Sequence, residues 1–404
     1  MIGAGASGLA AAGGAARGGA KVTVFDGNEK AGKKLYITGK GRCNVTNDCE
    51  PREFLLSVVG GKKFLQSCIY RFPPAYTKEL LTGLGLTLKT ERGNRVFPAS
   101  DKSSDVIKTL VKYAESGGAR LRLDSKVVRA EKTEEAFLLI LEGGERVEAK
   151  KLVLACGGKS YSSTGSRGDG YKFASAFGHT VVEPVPALAP IRLKQSVKAI
   201  EGLSLKNVKA TLKGDGFCES AFGEMLFTSD GASGPIILSL SSLVNRKKLD
   251  GAKLMVDLKP ALSEEKLDTR ILSDFEKYAN KQLKNALFDL LPRSLVPYIL
   301  GYCALDGEKS VNTVTRAERT KLGSALKALT FDIRGLYDVE YGIVTAGGVS
   351  LKEIDPSTME SKIVKGLYVV GEMLDVDALT GGFNIQIALS TGFAAGEAIG
   401  GLYV

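Results

Sequence analysis

Two textures alternate along the chain. In the first, short apolar runs meet glycines. Lys21-Val22-Thr23-Val24-Phe25 reads as a β-branched strand, and Lys151-Leu152-Val153-Leu154-Ala155 and Gly366-Leu367-Tyr368-Val369-Val370 read as buried strands. The small-residue run Leu9 to Gly19 and the Ala-rich stretch through Ala398 read as helices beside them. Ala136 to Val147, with Gly143-Gly144 at its middle, reads as a hairpin. From about Ile191 the second texture takes over. Ile191 to Leu258 alternates apolar and polar positions between turn glycines, which predicts a small antiparallel barrel. Residues 263–329 change to helical spacing: Ser263-Glu264-Glu265 makes an acidic start, and Leu267, Ile271, Phe275, Leu283, Leu287 and Leu290 form a stripe that reads as core. Phe331 to Tyr341 returns to the barrel, and from Thr345 the first texture resumes. The expected divisions are 1–190, 191–262, 263–330, 331–344 and 345–404, the first and last forming one α/β domain that the middle three interrupt.

The first glycines carry the sharpest signal. Gly3-Ala4-Gly5-Ala6-Ser7-Gly8 opens the small-residue helix, and Asp26 closes the following strand, 23 residues after Gly3. In this strand–helix–strand–acid setting GxGxxG is a dinucleotide fingerprint. Gly3 makes the tight turn, Gly5 admits a pyrophosphate to the backbone, Gly8 lets helix and strand pack, and the acid meets a ribose. Only Met1 and Ile2 precede Gly3, where such a strand has about five or six residues, so the expectation is that the chain begins inside that strand.

Composition narrows the class. The chain has 404 residues, 48 of them glycine, and no Gly-X-Y period, so the excess belongs to turns and ligand approaches. No apolar run is long enough for a membrane span and the start does not read as a signal peptide, so a cytoplasmic location is expected. Six cysteines without CxxC pairs read as free thiols, and a single histidine, His179, disfavours metal sites and most Ser-His-Asp triads. No metal is therefore expected. The net charge of +10 favours polyanions without identifying one.

Further blocks extend the first site. Gly32 to Asn47 mixes glycines with Lys33, Lys34, Lys40, Arg42, Asn44 and Asn47, and reads either as a loop around a diphosphate and the ring beyond it or as a solvated basic loop. Cys156-Gly157-Gly158 ends a strand that would return the chain to the cofactor. The Gly165, Gly168, Gly170 loop is set aside as a second nucleotide site because its spacing is wrong and no terminal acid follows. Gly381-Gly382 before the Ala-rich helix would offer free N–H groups to a carbonyl or anion, such as N1/O2 of a reduced isoalloxazine. His179, after Gly178, reads as a helix cap or core partner, with a catalytic role as the alternative.

These blocks together resemble the BaiN/YhiN-like bacterial flavoproteins, also called aminoacetone oxidase family FAD-binding enzymes or NAD(P)/FAD-dependent oxidoreductases. The resemblance rests on GAGASGLAAA (Gly3 to Ala12), GKKLYITGKGRCNVTN (Gly32 to Asn47), GGKSYSSTGSRGDGY (Gly157 to Tyr171), GEMLFTSDGASGP (Gly223 to Pro235) and GLYVVGEMLDVDALTGGFNIQIALSTG (Gly366 to Gly392), and covers essentially the whole chain. It implies an α/β fold: a glutathione-reductase-like Rossmann FAD domain with an inserted antiparallel β-barrel and a small helical domain. It implies FAD contacts at Gly3, Gly5, Ala6, Ser7 and Gly8 for the pyrophosphate and at Asp26 and Gly27 for the ribose. Lys34, Gly41, Arg42, Cys43 and Asn44 would lie along the cofactor, Val127 at adenine, and Cys156 and Gly157 at the turn. Gly371, Glu372 and Asp375 would serve the ribityl and phosphate side, and Gly382, Phe383, Asn384 and Ile385 the pyrimidine end. Three positions depart from the family: Asp26 stands for the commoner Glu, Cys156 for a Thr, and Ser229-Asp230 where many members have a His.

Reactions assigned within the family span amine oxidation, reduction of steroid double bonds and reduction of rRNA uridine. The last two add hydride to one carbon and a proton to its neighbour. The sequence offers Cys43, Tyr161 and Tyr36 as the acid, Cys43 first, with a structural thiol as its alternative role. No second GxGxxG domain is found for NAD(P)H, which would visit as a transient reductant. Ribosomal RNA is the expected polyanionic partner, with Arg246, Lys247, Lys248, Lys277, Lys281 and Lys284 as phosphate contacts or as solvated surface. An oxygen-dependent amine oxidase and an FAD-containing RNA- or partner-binding protein are the competing classes; no stacking-aromatic RNA motif is present.

Overall fold

The computed structural model describes residues 1–402; the last two positions of the expected 345–404 segment lie outside the described residues. The chain divides into two compact units, Met1–Ala187 with Asp338–Val404, and Leu188–Tyr337.

The first unit is built on a parallel sheet. Thr23–Phe25 pairs with Arg120–Arg122, and Leu152–Leu154 pairs with Leu367–Val369. Ile2 joins the two halves, bridging in parallel to Phe25 on one side and Leu154 on the other. Its N–H donates to Val153 O at 2.9 Å. The central residues Ile2, Val24, Val153, Leu154 and Val369 are buried, as expected where helices cover both faces. The expected hairpin is a three-stranded meander, Val127–Lys132, Phe137–Leu141 and Arg146–Ala149, turning at Gly144. Val181–Ala187 pairs antiparallel with Val344–Val349, so the strand the chain leaves by lies beside the strand that resumes the unit.

Two helices, Ala6–Arg17 and Phe383–Gly400, pack along each other with almost no side-chain bulk between them. A Cβ on Gly396 would sit 2.7 Å from Ala11 O, and one on Gly14 would sit 3.2 Å from the Gly396 backbone. A Cβ on Gly392 would collide with Ser7 O. The glycines are thus set by backbone approach between the two ends of the chain, which is why both stretches are so rich in Gly and Ala.

The second unit contains a closed six-stranded antiparallel barrel, in the order Ile191–Leu193, Gly231–Ser233, Phe217–Phe227, Ser204–Gly214, Lys253–Asp257 and Leu329–Leu336. Leu205, Val208, Ala210, Leu212, Leu254, Val256, Phe331 and Ile333 fill it. Glu264–Lys277 starts on Ser263, whose side chain accepts from Lys266 N, and Arg316–Lys327 starts on a Thr315/Glu318 capping box. Of the predicted stripe, Leu267, Ile271, Leu283, Leu287 and Leu290 are buried, and Phe275 is half-buried against the same core. Among the described residues, no helix is long and apolar enough to cross a membrane.

Because Gly396 faces Ala11 O at 2.7 Å from its would-be Cβ, Gly396→Val should overpack the helix pair. We expect destabilisation of about 3 kcal/mol, read as a melting temperature several degrees lower.

Candidate FAD site

Several segments of the first unit meet around its first glycine loop. The glycine loop is the floor. Gly3 has φ +106°, and a Cβ there would meet the Ala155 carbonyl, so this position requires glycine on both counts. A Cβ on Gly8 would collide with Gly3 O. Gly5 is different: no atom lies within 4 Å of its would-be Cβ. It faces open space at the start of a twelve-residue helix that has no side-chain cap. Uncapped first-turn N–H groups at a helix N-terminus suit an anion that approaches the backbone; Gly3 and Gly8 are required by the fold, whereas no neighbouring atom requires glycine at Gly5.

Asp26 is held by the loop it serves. Its Oδ2 accepts from Ala4 N at 2.7 Å, and its Oδ1 accepts from Asn28 N and Nδ2, both at 2.9 Å. A Cβ on Gly27 would sit 3.1 Å from the Lys126 Cβ, so Asp26 and Gly27 lie beside the segment of the buried Val127.

The second segment supplies an ion pair. Lys33–Ile37 is a short helix whose Lys34 Nζ donates to Glu372 at 2.7 and 2.8 Å and to Ser160 Oγ at 2.7 Å. Glu372 Oε1 also accepts from Thr345 N at 2.9 Å. Thr345 Oγ1 in turn accepts from Lys159 N at 2.8 Å. Tyr171 Oη donates to Glu372 O at 3.3 Å, and burial first, then the Glu372 charge, pushes its phenol far up. Lys34 and Glu372 came from the sequence; Ser160, Thr345 and Tyr171 did not, although Ser160 and Tyr171 lie in the Gly157 to Tyr171 stretch that carried the family resemblance.

The basic loop beyond Lys34 is mostly committed to its own fold. Arg42 is ion-paired with Glu91 and, at 2.8 Å, with Asp101, and its guanidinium lies 4.1 Å over the Phe97 ring. Its side chain is thereby engaged with groups of its own unit. Cys43 is wholly buried at φ +59°, and burial pushes its thiol up to about 11. Tyr36 and Tyr161 are exposed. Gly41 faces open space, like Gly5.

Asn44 closes the ring end. Its Oδ1 is buried without a hydrogen-bond partner, and so is Thr46 Oγ1. Asn44 Oδ1 lies 2.9 Å from the would-be Cβ of Gly382, whose φ of +98° starts the helix Phe383–Gly400 without a side-chain cap. Asn384 braces this turn, accepting from Ala378 N at 3.0 Å and donating to Ala378 O at 2.8 Å. Phe383 is buried against Phe54, and Asp375 N donates to Val349 O at 3.1 Å. Gly371 packs on Ser7, its would-be Cβ 2.6 Å from Oγ, which ties this side to the floor. At the turn, Cys156 Sγ donates weakly to Ile2 O at 3.7 Å. Burial, then the charges of Asp26 and Asp169, pushes that thiol up to about 12. A Cβ on Gly157 would meet Ser166 Oγ at 2.9 Å.

His179 stands apart. It is buried, with Nδ1 at 3.0 Å from Glu353 and Nε2 at 2.8 Å from Ser361 Oγ. Although burial opposes it, hydrogen bonds from Thr180 and His179 hold the Glu353 carboxyl below its ordinary value. Both imidazole nitrogens are engaged in joining two loops, the core-partner role.

An anion cradle at Gly5 and an orphaned buried acceptor beside Gly382 fit a molecule with a diphosphate and a ring offering N–H. Flavin adenine dinucleotide has both. The chain is an FAD-dependent oxidoreductase built on a Rossmann fold. Residues 1–398 match the HI0933-like protein Rossmann domain, and the protein belongs to that family. It is 31% identical over 405 residues to the 3-dehydro-bile acid delta(4,6)-reductase of Clostridium scindens, covering 98% of each chain. It is also 31% identical over 406 residues to the ribosomal RNA dihydrouridine synthase of Escherichia coli, covering 98% of this chain and 96% of that one. In fold it is similar to a flavocytochrome c3 fumarate reductase, with TM-score 0.53 and 17% identity over 99% of this chain and 77% of that one. It is likewise similar to the 3-ketosteroid-Δ4-(5α)-dehydrogenase of Rhodococcus jostii, with TM-score 0.50 and 15% identity over 99% and 95%.

The two glycine roles are separable. Gly5→Val should leave the melting temperature of flavin-free protein unchanged and give colourless protein, whereas Gly8→Val should fold poorly with or without flavin. Lys34→Met strands Glu372, which is only 18% exposed. The loss of a charged hydrogen-bond partner there should cost about 1–3 kcal/mol and reduce flavin retention on gel filtration.

Proposed function

We propose that this protein reduces a conjugated C=C bond with electrons from a transiently bound NAD(P)H, in the cytoplasm, where free thiols persist. An RNA uracil is the first substrate class and a steroid-like enone the second. The carrying observation is that two relatives, each matching 98% of this chain at 31% identity, are named for reactions that share this step on unlike molecules.

Bound FAD supplies the hydride chemistry, and the protein supplies position, polarity and access. Uncapped N–H groups at Ala6–Ser7 hold the diphosphate, and Asp26 with Gly27 meets the adenine-side ribose beside Val127. Gly371, Glu372 and Asp375 line the ribityl side, with Lys34 keeping Glu372 in place. Gly382, Phe383, Asn384 and Ile385 present backbone donors at the pyrimidine end, where negative charge collects on reduction. Asn44 Oδ1 is the complementary acceptor. Cys43 is already sealed in the core with its proton held, so its surroundings favour packing the loop over donating to substrate. The more exposed Tyr36 and Tyr161 remain as acids.

RNA ranks first on charge. The net +10 includes Lys247 and Lys248, both exposed, although Lys277 and Lys284 already pair with Asp289 and Glu308. Several phosphate contacts make binding steeply salt-dependent, which a neutral enone or amine would not show.

The decisive measurement is anaerobic: NADPH should bleach the yellow protein, and a uridine-containing RNA should restore the colour faster than buffer alone, an effect lost at high salt. Rapid recovery with aminoacetone and oxygen, with no RNA binding at low salt, would overturn the assignment. Mass spectrometry of the heat-released flavin should show FAD; FMN alone would contradict the cradle. Cys43→Ala should retain bound FAD and turnover within about threefold; a loss of two orders of magnitude with flavin retained would return Cys43 to the role of acid, since general-acid catalysis contributes about 10²–10⁴.

A further inference from the structure

The barrel of the second unit carries a recess that the flavin cradle does not use. It measures about 420 Å³ and is lined by Arg192, Arg334, Gly335 and Leu336. The two arginines arrive there through an irregular strand pairing. Arg192 lies opposite Gly335 and its neighbour Leu193 opposite Ile333, so Arg334 is the additional residue of a β-bulge. Bulges bend a strand and re-aim a side chain, and they recur next to functional sites. Here the bulge places a second guanidinium in the recess that already contains the first.

The surroundings hold one of these cations and leave the other. Arg192 lies 3.8 Å from Asp230 and 4.5 Å above the Tyr337 ring, and Tyr337 Oη donates to Asp230. This Asp–Tyr–Arg array fixes the direction of the Arg192 fork. Arg334 has no ion-pair or hydrogen-bond partner among the described residues. Two guanidiniums line one polar recess, and the Arg334 fork is left to take an oxyanion in bidentate fashion.

We infer that this recess is a subsite for a phosphate-type oxyanion of the substrate. Resting on the reading above, that oxyanion is an RNA phosphodiester. The geometry suits it: planar forks match phosphate oxygens, and the recess volume falls in the range of small-ligand sites, about 300–1,000 Å³.

The test uses FAD-loaded protein and two probes. Inorganic phosphate, titrated by calorimetry, should bind the native protein and bind Arg334→Ala at least tenfold more weakly. Arg334→Lys should fall between them, because an ammonium keeps the charge and loses the fork. Arg334 lies at an exposed bulge, so flavin content and melting temperature should not change; Arg192→Lys provides an independent second variant. A short single-stranded RNA should show a salt slope shallower by about 0.7 in Arg334→Ala, the loss of one phosphate contact. Equal phosphate affinity in native protein and both variants would overturn the subsite. Weakened phosphate binding with an unchanged RNA slope would overturn the phosphodiester assignment. If native protein neither binds nor reduces RNA while phosphate affinity still depends on Arg334, the oxyanion site is supported and the RNA reading fails.

Discussion

The close approach of two helices from opposite ends of the chain is the constraint on which the cofactor site depends. Ala6–Arg17 and Phe383–Gly400 touch backbone to backbone at Ser7/Gly392, Ala11/Gly396 and Gly14/Gly396. Each of these helices starts in the cradle, one at the Gly5 floor and the other at the Gly382 ring end. Their packing therefore sets the distance between an anion site and a carbonyl site. Any side chain between them would lengthen that distance and spoil the fit to a ligand of fixed length. This explains why so long an insertion as 188–337 is tolerated in sequence: the two halves of the cradle are locked to each other by helix contact and by Ile2 in the sheet, and need no short connection.

A second lock is electrostatic. Lys34 and Glu372 are 21% and 18% exposed and about 340 residues apart in sequence, |i−j| being 338. Partly desolvated pairs contribute only when their remaining hydrogen-bonding capacity is met. Here Ser160 Oγ, Thr345 N and two carboxylate oxygens complete the set. The pair also spans the helix 33–37 and the turn 371–373, so it fixes the side of the groove where the ribityl chain would run. By contrast Arg42, equally prominent in sequence, is neutralised by Glu91 and Asp101 and acts as a strut between loops.

The difference between those two cations marks what the sequence shows and what it hides. GxGxxG, the strand to Asp26 and the Gly381-Gly382 turn were legible because each demands a residue type for a local backbone reason. The barrel was legible from alternation, and the helical stripe from its 3.6 period. Partner choice was not. Nothing in the spacing distinguishes Lys34, which crosses to Glu372, from Arg42, which does not. Whether Cys43 lines the groove or fills the core depends on a φ of +59° and on neighbours distant in sequence. The Arg334 bulge was equally hidden, since one extra residue in a strand leaves no compositional trace until its partner strand is known.

Substrate choice follows from this division. The features that fit FAD are local, glycine-dependent and shared by design with any protein that must hold the same cofactor. A steroid enone and an RNA uracil present the same two carbons to a hydride and differ in everything around them. A chain that kept the cradle and altered its substrate would have to change residues remote from the glycine motifs. The recess at Arg192 and Arg334 lies in the second unit, at a bulge whose barrel core of Leu205, Leu212, Leu254 and Phe331 does not depend on which side chain the bulge presents. Exchange of the arginines would therefore alter the charge offered to a substrate without altering the fold that offers it, a physical condition for one cofactor scaffold to serve chemically unlike molecules.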